Sequence, residues 1–406
     1  MERRFNPLVL GLLIFAFVGT AFAAVSTYDF VAHLDRQVHS IHCSIIPGAA
    51  SDASGTSGCH TVMMSPWSSL FRDKLWGGLP ISLLAFGVFG YLVFRSLELL
   101  IRGVGELKSE ARYMTLAGAL PVLMSLVYGF ISFAKIGAAC TNCVGIYVSS
   151  VGFFGCALGL FFTSTDDEDG APMPTNRYLM YFVEGVVFVA VPVLVFLALR
   201  PDYGSVVNTC GELNKPEDNY GVMVSFRPES GGVSAIEVLD PLCPACKAFD
   251  ERLQASGFKN RLDLKAILFP LDNTCNWMVS SALHPGACQV SEAVLCAESR
   301  AGEVVDWAFE NQEELRTVAE RDPAELEKKI KERFPDLSGC IGKAAVRAKL
   351  NKSLRWAVAN GLQVLTPQLY IQGKKVCDED TDLGLEFALD KMLNGTAGVA
   401  QKEESR

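Results

Sequence analysis

Residues 139–162 read ACTNCVGIYVSSVGFFGCALGLFF, a Cys-x-x-Cys pair, Cys140 and Cys143, set at the mouth of a long apolar run. A helix needs about 20 apolar residues to cross the roughly 30 Å of a bilayer's hydrocarbon, and this stretch is long enough. Four more stretches share that character, near Leu8 to Val31, Leu79 to Ile101, Tyr113 to Phe133 and Tyr178 to Leu199. Together they predict an all-α membrane helical bundle of five spans. Half of the 406 residues are apolar, which fits. The net charge of −9 offers no basic face, so nucleic-acid partners are set aside.

The first run has a second reading, because Arg3 and Arg4 precede it and Ala21-Phe22-Ala23 offers a signal-peptidase site. Retention is preferred, since cleavage would strip the cysteine loop of a flanking helix. Flanking Lys and Arg orient the bundle weakly: Arg3, Arg4, Arg102, Lys108, Arg112 and Arg177 oppose Arg36, Arg72, Lys74, Lys135 and Arg200. An inner N-terminus puts Cys43, Cys59, the start of the fourth span and everything after Arg200 on the outer face. All candidate redox pairs then share one side, and Asp166 to Asp169, with Gly170, Pro172 and Pro174, becomes a short acidic inner loop. Between the first two spans, Trp67, Leu70, Phe71 and Leu75 recur at helical spacing around Arg72 and Lys74. They read as a short interfacial helix or as a plain amphipathic connector.

Thirteen cysteines suit an oxidising compartment, and the odd count leaves at least one unpaired or intermolecular thiol, for which Cys156 is the candidate. The loop closed by a Cys140–Cys143 bridge is too small for that bridge to stabilise the fold much, so chemistry is the preferred reading. Cys43 and Cys59 flank Ser51 to Gly58, a Gly- and Ser-rich loop flexible enough to carry sulfur between sites; a static bridge pinning the loop is the alternative.

From Tyr203 onward the composition turns soluble. Tyr220 to Phe226 and Val233 to Leu239 read as strands, Cys243-Pro-Ala-Cys246 opens a helix, and Leu262 to Phe269 is a third strand. Helical periodicity runs from about Trp277 to Asn360, strands return at Gln368 to Gln372 and Lys374 to Cys377, and a last helix covers Thr381 to Leu393. This is an α/β domain with a helical insertion. Cys243 would face the free amides and positive dipole end of its helix, which favours thiolate, and Cys246 is placed to resolve it. No second Cys-x-x-Cys or His pair stands at zinc-finger spacing, so no metal is expected. Cys210, Cys275, Cys288, Cys296, Cys340 and Cys377 read as structural staples; their pairing is open, with Cys275 to Cys288 favoured.

The run from about Val206 to Leu393, with its CPAC, helical insertion and downstream Thr366-Pro367, resembles the bacterial thiol-oxidase branch of the thioredoxin superfamily. Leu8 to Phe162 resembles the vitamin K epoxide reductase family: Cys59, Ser65 and Trp67 repeat its spacing after the loop, and Cys140, Cys143 and Tyr147 repeat its catalytic helix. These resemblances imply a four-helix membrane domain over residues 1–165, a linker with a fifth linking span over 166–202, a thioredoxin-like domain over 203–396 and a polar tail over 397–406. They imply a membrane thiol oxidase. Electrons would pass from reduced extracytoplasmic client proteins to Cys243 and Cys246, then Cys43 and Cys59, then Cys140 and Cys143, and finally to a quinone, ubiquinone or menaquinone. By the same analogy Cys143 faces the quinone, with Ser65 and Tyr147 near it in a slot lined by the second and fourth spans. Cys140 then exchanges with Cys59, Cys43 meets Cys243, and Thr366 and Pro367 support the soluble disulfide. The implied location is a bacterial inner membrane with the thioredoxin-like domain on the periplasmic side. The alternatives are an outward-flowing reductase or isomerase, and a non-enzymatic client-binding adaptor.

Overall fold

Asn6 accepts the Leu8 amide at 3.0 Å and Pro7 takes the first helical position, so the leading apolar run starts as a capped helix, α1 (Pro7–Ala32). The computed structural model describes residues 6–37, 39–43, 51–52, 57–102, 107–164, 174–226 and 232–403. Residues 53–56 of the Ser51 to Gly58 loop and the acidic stretch Asp166 to Asp169 lie outside them. The chain divides into two units, Met1–Asp202 and Tyr203–Arg406.

In the first unit, α1 is followed by β1 (Ile41–His42), β2 (Ser51–Asp52), the short α2 (Gly58–Met64), β3 (Ser69–Leu70) and β4 (Leu79–Pro80). Then come α3 (Ile81–Arg102), α4 (Leu107–Phe130, running on through a π-helical turn to Ile136), α5 (Thr141–Thr163) and α6 (Thr175–Leu199). Among the described residues, five helices are long and apolar enough to cross a membrane, as expected of a multi-pass membrane protein. α1 packs against α3 and α5, α5 against α4, and α6 against α3. The α1–α5 seam is set by glycine. A Cβ on Gly145 would lie 2.4 Å from the Phe22 ring, one on Gly152 2.4 Å from Phe15, and one on Gly11 2.7 Å from the Cys156 sulfur. Cys156 is unbridged and half-buried in this seam.

Of the two readings of the Trp67 segment, the connector is the one formed. Pro66 follows the end of α2, Leu70 pairs with Leu79, and Phe71 takes a left-handed φ of 59°. Arg72 turns inward, where it is buried and donates to Ser65 O at 2.6 Å. The segment is therefore a connector with Trp67 and Phe71 exposed.

The second unit holds β5 (Val224–Ser225), β6 (Val233–Leu239), α7 (Pro244–Ala255), β7 (Leu262–Leu268), α8 (Ala287–Ala297), α9 (Ala301–Glu310), α10 (Gln312–Arg321), α11 (Pro323–Arg333), α12 (Ala344–Ala359), β8 (Gln368–Ile371), β9 (Lys374–Lys375) and α13 (Leu385–Glu403). The sheet order is β5-β7-β6-β8-β9. β6 and β7 run parallel in register Val233 to Leu262, joined by α7, while β8 lies antiparallel on the other side of β6. α8 to α12 form the helical insertion between β7 and β8.

The first soluble strand is shorter than expected, because Asp218 accepts the Val222 and Met223 amides at 2.8 and 3.0 Å and Gly221 turns left-handed. Those amides are diverted from any ladder. The last two strands also stop early, and Cys377 bridges to Cys210 instead of pairing in the sheet. The other staples are Cys275 to Cys288, as expected, and Cys296 to Cys340.

Candidate functional site

In the helical unit, four cysteines meet at one end. A Cβ on Gly58 would fall 2.1 Å from Ala139 O, so α2 rests directly on the backbone leading into α5 and brings Cys59 to Cys140. Cys59 is bridged to Cys43, with Cα atoms 5.9 Å apart, while Cys140 and Cys143 are unbridged. Ile41, Cys59 and Cys140 form a small buried apolar cluster, with Cys43 and Cys143 packed on it. Cys140 is the N-cap of α5, and its sulfur accepts the Cys143 amide at 3.2 Å. Thr141 ties the pairs together: its hydroxyl donates to Cys43 O at 2.7 Å and lies 3.4 Å from Cys59 Sγ.

Below the cysteines opens an apolar cavity of about 1090 Å³. Cys59, Cys140, Cys143, Ser65 and Tyr147 all line it. The Ser65 hydroxyl is itself committed, donating to Val62 O at 2.7 Å. The walls come from more than α3 and α5: Met124 and Tyr128 of α4 and Val186 and Val189 of α6 contribute, so the fifth span is part of the chamber.

Three polar residues at this end carry no motif spacing. Asp29 is buried on α1 and lines the cavity; it accepts both the His42 amide, at 2.8 Å, and His42 Nδ1, at 2.7 Å. Asn142, between the two cysteines of α5, donates to His42 O at 2.6 Å, and its buried Oδ1 has no hydrogen-bond partner among the described residues. An acid inside the first apolar run was a legible signal, since ionisable residues in membrane spans are costly and commonly functional.

In the second unit, Cys243 is the N-cap of α7 with Pro244 after it, and the peptide bond between Thr366 and Pro367 is cis. The Cys243 thiol points at Thr366 O at 3.6 Å, so Cys243, Cys246, Thr366 and Pro367 share one site. Cys243 is nearly buried and Cys246 wholly so. The hydrogen bond from Cys246 pulls the Cys243 pKa down to about 6, with help from Thr366, the Cys246 amide and the charge of His284. Burial, and then the neighbouring Cys243 sulfur, push the Cys246 thiol well up. Cys243 is thus the more readily ionised sulfur of the pair.

Sequence spacing gave no hint of three neighbours. His284 Nδ1 is 2.7 Å from Asp240, a fully buried carboxylate that also accepts the Leu242 and Leu271 amides. Burial opposes the charge on His284, but the hydrogen bond and charge of Asp240 outweigh it and raise the pKa. Glu237, buried on β6, is pushed up to about 8 by burial and by the Asp250 carboxylate, with Lys259 working the other way.

Among the described residues, the one group close enough to hold a metal, Cys210, Cys377 and Glu379, consists of a disulfide beside a carboxylate and has no thiolate to offer.

No curated protein sequence matches the chain. Among solved structures, one described as "Proteus mirabilis ScsC linker (residues 39-49) deletion and N6K mutant" aligns at 16% identity over 55% of this chain and 99% of its own, with a TM-score of 0.30. That score is too low to relate the two folds. The helical unit gives the clear result: residues 10–158, which include both of its cysteine pairs, match the model of the Vitamin K epoxide reductase family, a match that suggests membrane redox activity linked to disulfides.

Proposed function

We propose that the chain is a quinone-dependent thiol oxidase of a bacterial inner membrane, with its thioredoxin-like domain on the periplasmic side. Cys243 attacks nothing until it is reduced: as a disulfide with Cys246 it accepts electrons from reduced client proteins. It then passes them to Cys43 and Cys59, which reduce Cys140 and Cys143. The observation that carries this reading is the meeting of the Cys43–Cys59 bridge, the Cys140/Cys143 pair and the mouth of one apolar cavity.

The cavity residues fit a quinone. Its volume and apolar walls suit a ring with an isoprenoid tail, and the unpartnered Asn142 Oδ1 offers an acceptor for an O–H of the reduced ring. A bound quinone accepts two electrons and two protons. Cys143, on the cavity wall, is the sulfur nearest in role to that acceptor. Cys140 faces Cys59 and takes electrons from it by disulfide exchange. Ser65 and Tyr147 shape the same wall.

The direction is supported by Cys243. A thiolate held at a pKa of about 6 stabilises the reduced form, which makes the disulfide the stronger oxidant. In living cells an oxidase keeps Cys243 and Cys246 mostly bridged, and finding them mostly as thiols would favour the reductase reading instead. Within the helical unit, Cys143→Ala removes the resolving sulfur, so a mixed disulfide between Cys59 and Cys140 should accumulate. Non-reduced peptide mapping that finds Cys43 joined to Cys140 would reverse the roles of the loop cysteines.

A further inference from the structure

Among the described residues that line the cavity, Asp29 is the one side chain with a formal charge. Its side chain is 2% exposed, whereas that of His42, bonded to it, is 50% exposed. The couple therefore runs from the cavity wall to water. His42 is held in place from both sides, its amide on Asp29 Oδ2 at 2.8 Å and its carbonyl on Asn142 Nδ2 at 2.6 Å.

This geometry meets a chemical need, on the reading that the cavity takes a quinone. Thiolates supply electrons without protons. Apolar walls supply none either. We infer that His42 and Asp29 are the proton entry of the membrane site. His42 takes a proton from water at the cysteine end, passes it along the 2.7 Å contact from Nδ1 to Oδ1, and Asp29 delivers it to a quinone oxygen. The balance closes over one turnover. The sulfurs of Cys140 and Cys143 join in an S–S bond and give up two electrons, and each quinone oxygen gains one proton as O–H. The two protons lost to water by the client thiols are the two that enter, so none is consumed overall.

Other ionisable groups around the couple belong to the same end. His33 places Nδ1 2.7 Å from Asp29 O and Nε2 3.0 Å from His39 O, His39 pairs with Asp35, the Tyr28 ring lies 6.3 Å from that of His42, and Cys140 lines the cavity from α5. Among the described residues, only Asp29 joins the cavity to an exposed imidazole.

The test uses the full chain in detergent micelles, a short-chain quinone and a small dithiol. His42→Gln and Asp29→Asn should each slow quinone loss about 100-fold. With Cys143→Ala added, both should still trap the mixed disulfide of Cys59 and Cys140, because that exchange precedes proton delivery. Added imidazole should restore the rate of His42→Gln in proportion to its concentration and leave Asp29→Asn slow. A second readout needs no quinone: infrared difference spectra between two pH values should show a carboxyl band that is absent in Asp29→Asn and altered in His42→Gln. Wild-type rates in both variants, loss of the mixed disulfide, or a slow His42→Gln that imidazole does not rescue would overturn the proton entry while wild-type turnover keeps the oxidase reading. Wild-type protein that reduces no quinone overturns that reading and this inference with it.

Discussion

In the second unit, one sulfur has its charge decided by its surroundings. Cys243 has its pKa lowered to about 6, below that of an unfolded thiol. Its ionisation therefore stabilises the reduced fold at pH above the usual thiol range, and that stabilisation is lost as pH falls through about 6. His284 adds positive charge held by Asp240. His284→Gln should raise the Cys243 pKa by about one unit, read from thiolate absorbance against pH in the reduced full-length protein with Cys243→Ser as the blank. An unchanged titration would remove His284 from the site. Glu237 has the opposite sign. Its pKa is raised to about 8, so the stability it permits is complete below the usual carboxylate range and is lost as pH rises through about 8. Glu237→Gln should stabilise the oxidised protein by about 1–3 kcal/mol at neutral pH and flatten its pH dependence, as measured by chemical denaturation. At this scale the cysteines were legible because their chemistry is written in local spacing. His284 was not, because 41 residues of chain separate it from Cys243 and only the folded loop returns it to Asp240. Asp29 was not singled out although an acid within an apolar run could have marked it, and its partner His42 is set by tertiary contact alone.

Elements follow from physics that sequence states plainly when one rule dominates and poorly when several compete. The five spans were readable to within a few residues because hydrocarbon thickness fixes their length, and neither Pro121 in α4 nor Pro192 in α6 ends its helix. The Trp67 segment stayed open between helix and connector, and the helical spacing of its four apolar residues was outweighed by Pro66, the turn at Phe71 and the inward Arg72. The α1–α5 seam depends on absent side chains. Its pairs 11 with 156, 15 with 152 and 22 with 145 keep step along two antiparallel helices. Gly145→Leu, driven into Phe22, should part the seam near the cysteine end and destabilise the unit by about 1–3 kcal/mol. Steric-trap or thermal unfolding measurements in micelles would show this, and an unaltered midpoint would mean that α5 yields freely. In the soluble unit, the Cys275–Cys288 bridge closes the loop that carries His284. Replacing both cysteines by Ala should cost about 3 kcal/mol of stability, seen as a lower denaturation midpoint, and should loosen His284 as well.

For the whole molecule, the proposed relay makes covalent fusion of the two units, Met1–Asp202 and Tyr203–Arg406, a way to turn an encounter between separate proteins into one within a chain. A short tether sets an effective concentration of order mM, beyond what a free partner at micromolar level provides. Cutting the chain near Asp202 and adding the soluble unit back should lower client oxidation strongly and restore it only at high concentration. Equal turnover at low concentration would show that the fusion has no kinetic role. The central claim is that client electrons leave through Cys143 into the apolar cavity. Full-length protein mixed with a reduced client and a quinone tests it most directly, with quinone loss followed optically in wild type and in Cys143→Ala. Wild type should consume one quinone for each client disulfide formed while Cys143→Ala consumes none; quinone loss by Cys143→Ala at the wild-type rate would contradict the account.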